Sequence, residues 1–235
     1  SAEPPERFLA QELMRGKQVS DLLAAAEPNG LNEAVALNIA HQLFRLLDLL
    51  HTRLQETFLD LKLENLWWTE HNGFPGEGAL KVTGWDALES LKEKSHVEKR
   101  KYIARDLFRA SLYLYRMLTG TLPTLVGGTT VSRLEQAGNW GSLSNETQRL
   151  LHAALVLKQY QTAGELKLET RSLLSYLQTG EAAPRLPARV DPEGVTETAQ
   201  QGVQAVEVSS PVEEEPRQVV AASSPAEEEP QQAVE

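Results

Sequence analysis

No cysteine occurs in the chain, which excludes disulfides and thiolate-held metals and fits a reducing, cytoplasmic setting. Runs of about 18 consecutive apolar residues are absent, as is the apolar core of a signal peptide, so no membrane span is expected. At a net charge of −10 there is no basic stripe interleaved with aromatics, which argues against a nucleic-acid partner. The most basic run, EKSHVEKRK at residues 93–101, reads as the solvated end of a helix. His41, His51, His71, His96 and His152 show neither metal-ligand spacing nor a Ser/Asp partnership, and read as structural or surface residues.

Aromatics stop at Tyr176. From there the composition changes: residues 181–235 hold three arginines against twelve acidic side chains, so −9 of the net −10 lies in this segment. It is rich in Pro, Glu, Gln and Ser, and it repeats SSPVEEEPRQVV as SSPAEEEPQQAV fourteen residues later. Too few large apolar groups are present to offset chain entropy, so a disordered, low-complexity acidic tail is expected over 179–235.

What is there upstream is mostly helical in pattern. Ser20 is expected to cap a short helix, DLLAAAE, that stops at Asn29-Gly30. From Asn32, Val35, Ile39, Leu43, Leu46 and Leu50 recur at spacings of three and four, the stripe of a long, largely buried helix. The polar stretch FLDLKLENLWW (58–68) follows, then a Gly/Pro-rich turn and LKV, so LWW and LKV are expected to form a small hairpin. A second apolar helix is expected from about Val97 to Leu118, ending at Thr119-Gly120. Residues 121–143 read as loop with a short helix near VSRLEQ. Ser144 or Asn145 caps a further helix through Val156, and Thr162 to Glu165 has the spacing of a capping box for a last helix ending near Leu177.

In this order the elements resemble the C-terminal lobe of a eukaryotic-type Ser/Thr protein kinase. Asp60-Leu61-Lys62-Leu63-Glu64-Asn65 is similar to the kinase catalytic loop D-L-K-P-E-N, and LKVTGWD (80–86) to the strand that ends in D-F-G. Asp106 in RDLFRASLYLYRMLTGTLP resembles the buried acid at the start of a kinase helix. FLAQELM (8–14) would be the hinge segment, and QTAGEL the start of the final helix. The resemblance covers residues 8–178, after a polar leader at 1–7. It implies a mainly α fold: a helical bundle with one small β-hairpin. It further implies Asp60 as acceptor of a substrate hydroxyl proton, Lys62 as partner of the transferred phosphoryl, Asn65 as a Mg²⁺ ligand and Asp106 as a structural acid. Trp67 and Thr83 would stand at the adenine floor and just before the D-F-G.

The departures weigh against catalysis. Phe58-Leu59 replace His-Arg, and Gly84 stands where the metal-binding Asp belongs, with Asp86 two residues on. About twenty residues separate Gly84 from Asp106, with no A-P-E among them. Residues 1–7 offer no Gly-rich loop or strand lysine, and an indole at Trp67 would crowd a purine. Asp60, Lys62 and Asn65 therefore read as vestigial, with side chains bonded to the loop's own backbone. The expectation is a degenerate kinase-like, or pseudokinase, module without ATP, Mg²⁺ or another cofactor. It would act as a binding scaffold, its hinge face and LWW covered by a protein partner or an N-lobe-like segment. Two alternatives stand beside it: an active Ser/Thr kinase fragment, with ATP and Mg²⁺, whose N-lobe lies upstream or on a partner chain, and an unrelated helical interaction domain.

Overall fold

The long apolar stripe beginning at Asn32 forms the central helix. In the computed structural model, which describes residues 13–70, 78–126 and 130–180, helix α2 spans Glu33–Leu49. The Asn32 side chain accepts from the Ala34 N–H at its start, supplying one of the acceptors that a helix N-terminus lacks. Ala36, Leu37, Ile39, Ala40, Leu43, Phe44 and Leu47 are fully buried. The chain leaves α2 through a single π turn, Leu50–Leu54, closed by Gln55 at φ 57°, and this turn carries His51. Before α2, helix α1 (Val19–Ala26) starts one residue ahead of Ser20, with Gln18 in the cap position and no side-chain cap. The expected Ser20 cap is thus wrong: Val19 and Leu23 are both buried, and packing rather than a hydroxyl sets this start.

Two helices pack on α2. Helix α3, His96–Thr119, opens with a full capping box between Ser95 and Glu98 and closes at Gly120, whose φ of 74° is the left-handed geometry glycine adopts without strain. Helix α4, Asn145–Leu151, is capped by Ser144, whose hydroxyl also donates to Glu33 (2.6 Å), joining the starts of α4 and α2. Its continuation, His152–Val156, is again a π turn. Helix α5, Ala163–Thr179, has both halves of the Thr162–Glu165 capping box, and Lys167 ties it to Asp48 of α2 at 2.5 Å.

Three small antiparallel sheets complete the fold. Strands β1 (Lys17–Gln18), β3 (Leu66–Glu70) and β4 (Gly78–Val82) pair in the order β1-β3-β4, so LWW and LKV do form a hairpin. Strand β2 (Glu56–Phe58) pairs with β5 (Leu88–Ser90). Strand β6 (Thr124–Val126) pairs with β7 (Thr130–Ser132), in a region expected as loop with a short helix near VSRLEQ. The β-branched pair Thr130-Val131, with Ser132, takes the strand, Arg133 breaks it at φ 60°, and only Leu134–Gln136 forms a helical turn. Among the described residues no helix is long and apolar enough to cross a membrane. Phe8, most of FLAQELM and the segment 181–235 lie outside the described residues.

Candidate functional site

The loop that carries Asp60, Lys62 and Asn65 hangs between the β2–β5 ladder and the hairpin. Its start, Thr57 and Phe58, is buried. Thr57 and Phe58 end β2, and the Leu59 N–H donates to the Ala87 carbonyl (2.8 Å), extending that ladder into the loop. Beneath them lies Asp106 of α3, with no solvent exposure. One of its carboxylate oxygens receives the Thr57 hydroxyl (2.5 Å), His51 Nε2 (2.9 Å) and the Phe58 backbone N–H (3.1 Å). A buried carboxylate is tolerable only when such donors replace its hydration. His51 joins this set through the π turn, a partnership the sequence spacing did not reveal.

The same helix holds the loop's carbonyls. Arg105 Nη2 donates to the Phe58 carbonyl (3.0 Å), Arg109 Nη1 to Leu59 (2.7 Å) and the Tyr113 hydroxyl to Leu61 (2.5 Å). These side chains stand at i, i+4 and i+8, one stripe of α3. That polar stripe on an otherwise apolar helix was the signal available in the sequence. Burial raises the Tyr113 hydroxyl above its ordinary range, against the lowering field of Arg109, so it remains a donor at neutral pH.

The polar side chains of the loop's second half face solvent, while Leu61 and Leu63 between them are buried in the core. Lys62 forms an ion pair with Asp60, both about half exposed, and Arg109 approaches the other Asp60 oxygen at 3.9 Å. The hydrogen bond to Asp60, then the Asp60 charge, raises the Lys62 ammonium above its usual value. Asp60 therefore meets two cationic side chains rather than the loop's own backbone amides, which corrects the expected loop-internal bonding.

Asn65 sits elsewhere, at the junction with β4. Its carbonyl accepts from the Thr83 N–H (2.9 Å) and hydroxyl (3.3 Å), so the loop's end and the strand's end adjoin. The next residue, Gly84, has φ 78°, and a Cβ placed on it would lie 2.6 Å from Asn65 Nδ2. The Asn65 amide thus occupies the space a side chain at position 84 would need. Asp86 is exposed on the Trp85–Ala87 turn. No cluster of three His, Asp or Glu side chains suited to a metal ion occurs among the described residues.

The two tryptophans separate by strand alternation. Leu66 and Trp68 point into the core, which corrects the expectation of an uncovered LWW; Trp67, on the opposite face of β3, is half-buried between Gln18 and Lys81. A cavity of about 410 Å³ lies beside β4, lined by Met14, Gln42, Leu46, Leu80, Val82 and Trp85 among others. Leu13, from the hinge-like segment, is 82% exposed, and Trp85 is 43% exposed with its ring 5.7 Å from that of Phe58.

No family model matches the chain, and no curated protein matches it. Solved structures do. The crystal structure of the Rad53 kinase domain and SCD2 aligns over 66% of this chain and 61% of that one, at 17% identity and a TM-score of 0.50. The same protein in complex with AMPPNP aligns over 66% and 64%, at 18% identity and a TM-score of 0.49. The chain thus spans less than two thirds of the length of these structures. The likeness establishes the fold: mainly α and protein-kinase-like, with few strands.

Proposed function

We infer that the chain is a degenerate kinase-fold module, corresponding to the helical lobe, that acts by binding protein rather than by transferring phosphate. The observation that carries this reading is the Asn65–Gly84 junction. Gly84, which the resemblance of LKVTGWD puts in the place of the metal-binding carboxylate of kinases, bears no side chain, and the Asn65 amide fills the space beside it. Mg²⁺ at phosphoryl-transfer sites is held by carboxylates together with substrate phosphates, and this junction supplies an amide alone. Asp60, already paired with Lys62 and approached by Arg109, is then a surface ion pair. Losing one preorganised charge-stabilising group costs about 10²–10³ in rate.

The surface beside β4 supports a partner there. The cavity under Met14 and Trp85, with Leu13 exposed next to it, presents apolar area that a protein partner or N-lobe-like segment would bury. Calorimetric titration with Mg²⁺·ATP is expected to show no binding tighter than a Kd of about 10 μM. Tighter binding, with phosphate transfer lost in Asp60→Asn, would establish the second reading, an active fragment completed by an N-lobe upstream or on another chain. That reading draws on the retained order Asp60, Lys62, Asn65 on an anchored loop. For the binding face, Leu13→Ser and Trp85→Ser are expected to weaken association at unchanged melting temperature. Unfolding without prior loss of association would make these residues core.

A further inference from the structure

The most basic run of the sequence, residues 93–101, covers the start of α3 and borders a groove of about 870 Å³ between α3, the His152–Val156 turn and the start of α5. Its walls are mainly apolar, with Leu107 and Leu166 at the bottom and Phe108 half-buried beside them. Its rim is cationic. Arg100, Lys101, Arg105 and Lys158 line it with one carboxylate, Glu98, which is already engaged by the Ser95 hydroxyl and backbone N–H. A chain of net charge −10 therefore gathers a local balance of +3 around one apolar groove.

Arg105 is engaged with the Phe58 carbonyl, but the other three cations are not spent on internal ion pairs. Arg100, Lys101 and Lys158 form no ion pair among the described residues. Lys158, held at φ 48°, places its ammonium 5.4 Å from the centre of the Phe108 ring, directly over the groove wall. The Arg105 guanidinium lies over Tyr102 at 4.9 Å, and its Nε is buried without a hydrogen-bond partner.

We propose that this groove docks an acidic peptide segment with aliphatic anchors, supplied by a partner protein. Carboxylates of the segment meet Arg100, Lys101 and Lys158 at the rim, and aliphatic side chains settle against Phe108 and Leu166. A segment of this kind matches both the apolar wall and the cationic rim, whereas a nucleic acid would leave the wall unused. The groove shares no lining residue with the cavity beside β4, so this docking site stands whether or not the hinge-face reading holds.

The test uses the full chain and a labelled synthetic peptide that sets three glutamates among valines and matches no segment of the chain's own residues 181–235. Fluorescence anisotropy is expected to show saturable binding that weakens about tenfold or more in Arg100→Glu/Lys101→Glu, both exposed positions. Replacing the peptide's three glutamates with glutamine, or its valines with serine, is expected to weaken binding comparably. These peptide variants test rim and wall without disturbing the fold. No saturable binding, binding indifferent to the Arg100/Lys101 reversal, or binding of a single-stranded oligonucleotide in preference to the peptide would each overturn the proposal.

Discussion

The two halves of the loop from Thr57 to Asn65 differ in nearly everything but their position in the chain. The first half starts from the buried Thr57 and Phe58, and one carboxylate, Asp106, gathers three donors from it and from His51, while Arg105 and Arg109 hold its carbonyls. The second half alternates buried Leu61 and Leu63 with solvated polar side chains, its acid paired across a surface bridge and its far end packed against a glycine. The apparatus that positions a loop is therefore complete where the residues that chemistry would use are exposed or replaced. Positioning and reactivity are separable: hydrogen bonds from a helix stripe hold the backbone whatever the loop then presents.

The sharpest way to break the comparison is at Asp106. Asp106→Ala leaves His51, the Thr57 hydroxyl and the Phe58 N–H without their acceptor in a dry site. It is expected to cost about 3–5 kcal/mol, a fall in melting temperature on the order of 10 °C. Thermal denaturation by circular dichroism checks this, and a fall of a degree or two would show that the buried half is not the anchor. Gly84→Ala comes next. It adds a Cβ at positive φ against the Asn65 amide, and about 1–3 kcal/mol of destabilisation is expected in a denaturant titration. An unchanged midpoint would mean that the junction is loose and its space available.

A smaller effect separates the loop from the bundle. His41 of α2 faces α5, with Nδ1 3.1 Å from the Lys167 carbonyl and 3.3 Å from the Thr170 hydroxyl. Burial first, and then the charges of Arg171, Arg45 and Lys167, lower its pKa, against the raising effect of the carbonyl bond. A histidine with a lowered folded pKa binds its proton more readily in the unfolded chain. Its neutral form is thus fully accommodated above the unfolded value of about 6.5, and stability falls as pH drops below that. The difference in melting temperature between pH 7.5 and pH 5 is expected to shrink in His41→Gln relative to the parent. An equal difference would assign the acid sensitivity to other groups.

Smaller still is the solvated half itself. Asp60→Asn removes an exposed pair, and a change within about 0.5 kcal/mol is expected by denaturant titration; a loss above 2 kcal/mol would place Asp60 in the framework with Asp106. Ending the chain after Gly180 is expected to leave the melting temperature within a few degrees of the parent, since the acidic segment lacks aromatics and large apolar side chains. A larger drop would mean that the segment docks on the bundle.

Much of this was legible in the residues themselves. The apolar stripe from Val35 to Leu50, the Thr162 capping signal and the glycine after Thr119 are local patterns, and local patterns report helices and their ends. The loop was visible as polar residues between apolar ends. The β6–β7 hairpin was not, because Thr-Val-Ser at 130–132 becomes a strand only when Thr124–Val126 lies alongside it. Nor did spacing show that His51 meets Asp106 fifty-five residues away, or that Arg105, Arg109 and Tyr113 reach the carbonyls of one loop. Sequence periodicity determined which face of each helix is buried, since burial follows from where apolar side chains fall on a fixed repeat. Which polar groups share a site was decided only by the tertiary structure, because a hydrogen bond is made by atoms within about 3 Å in space and carries no signature in chain separation.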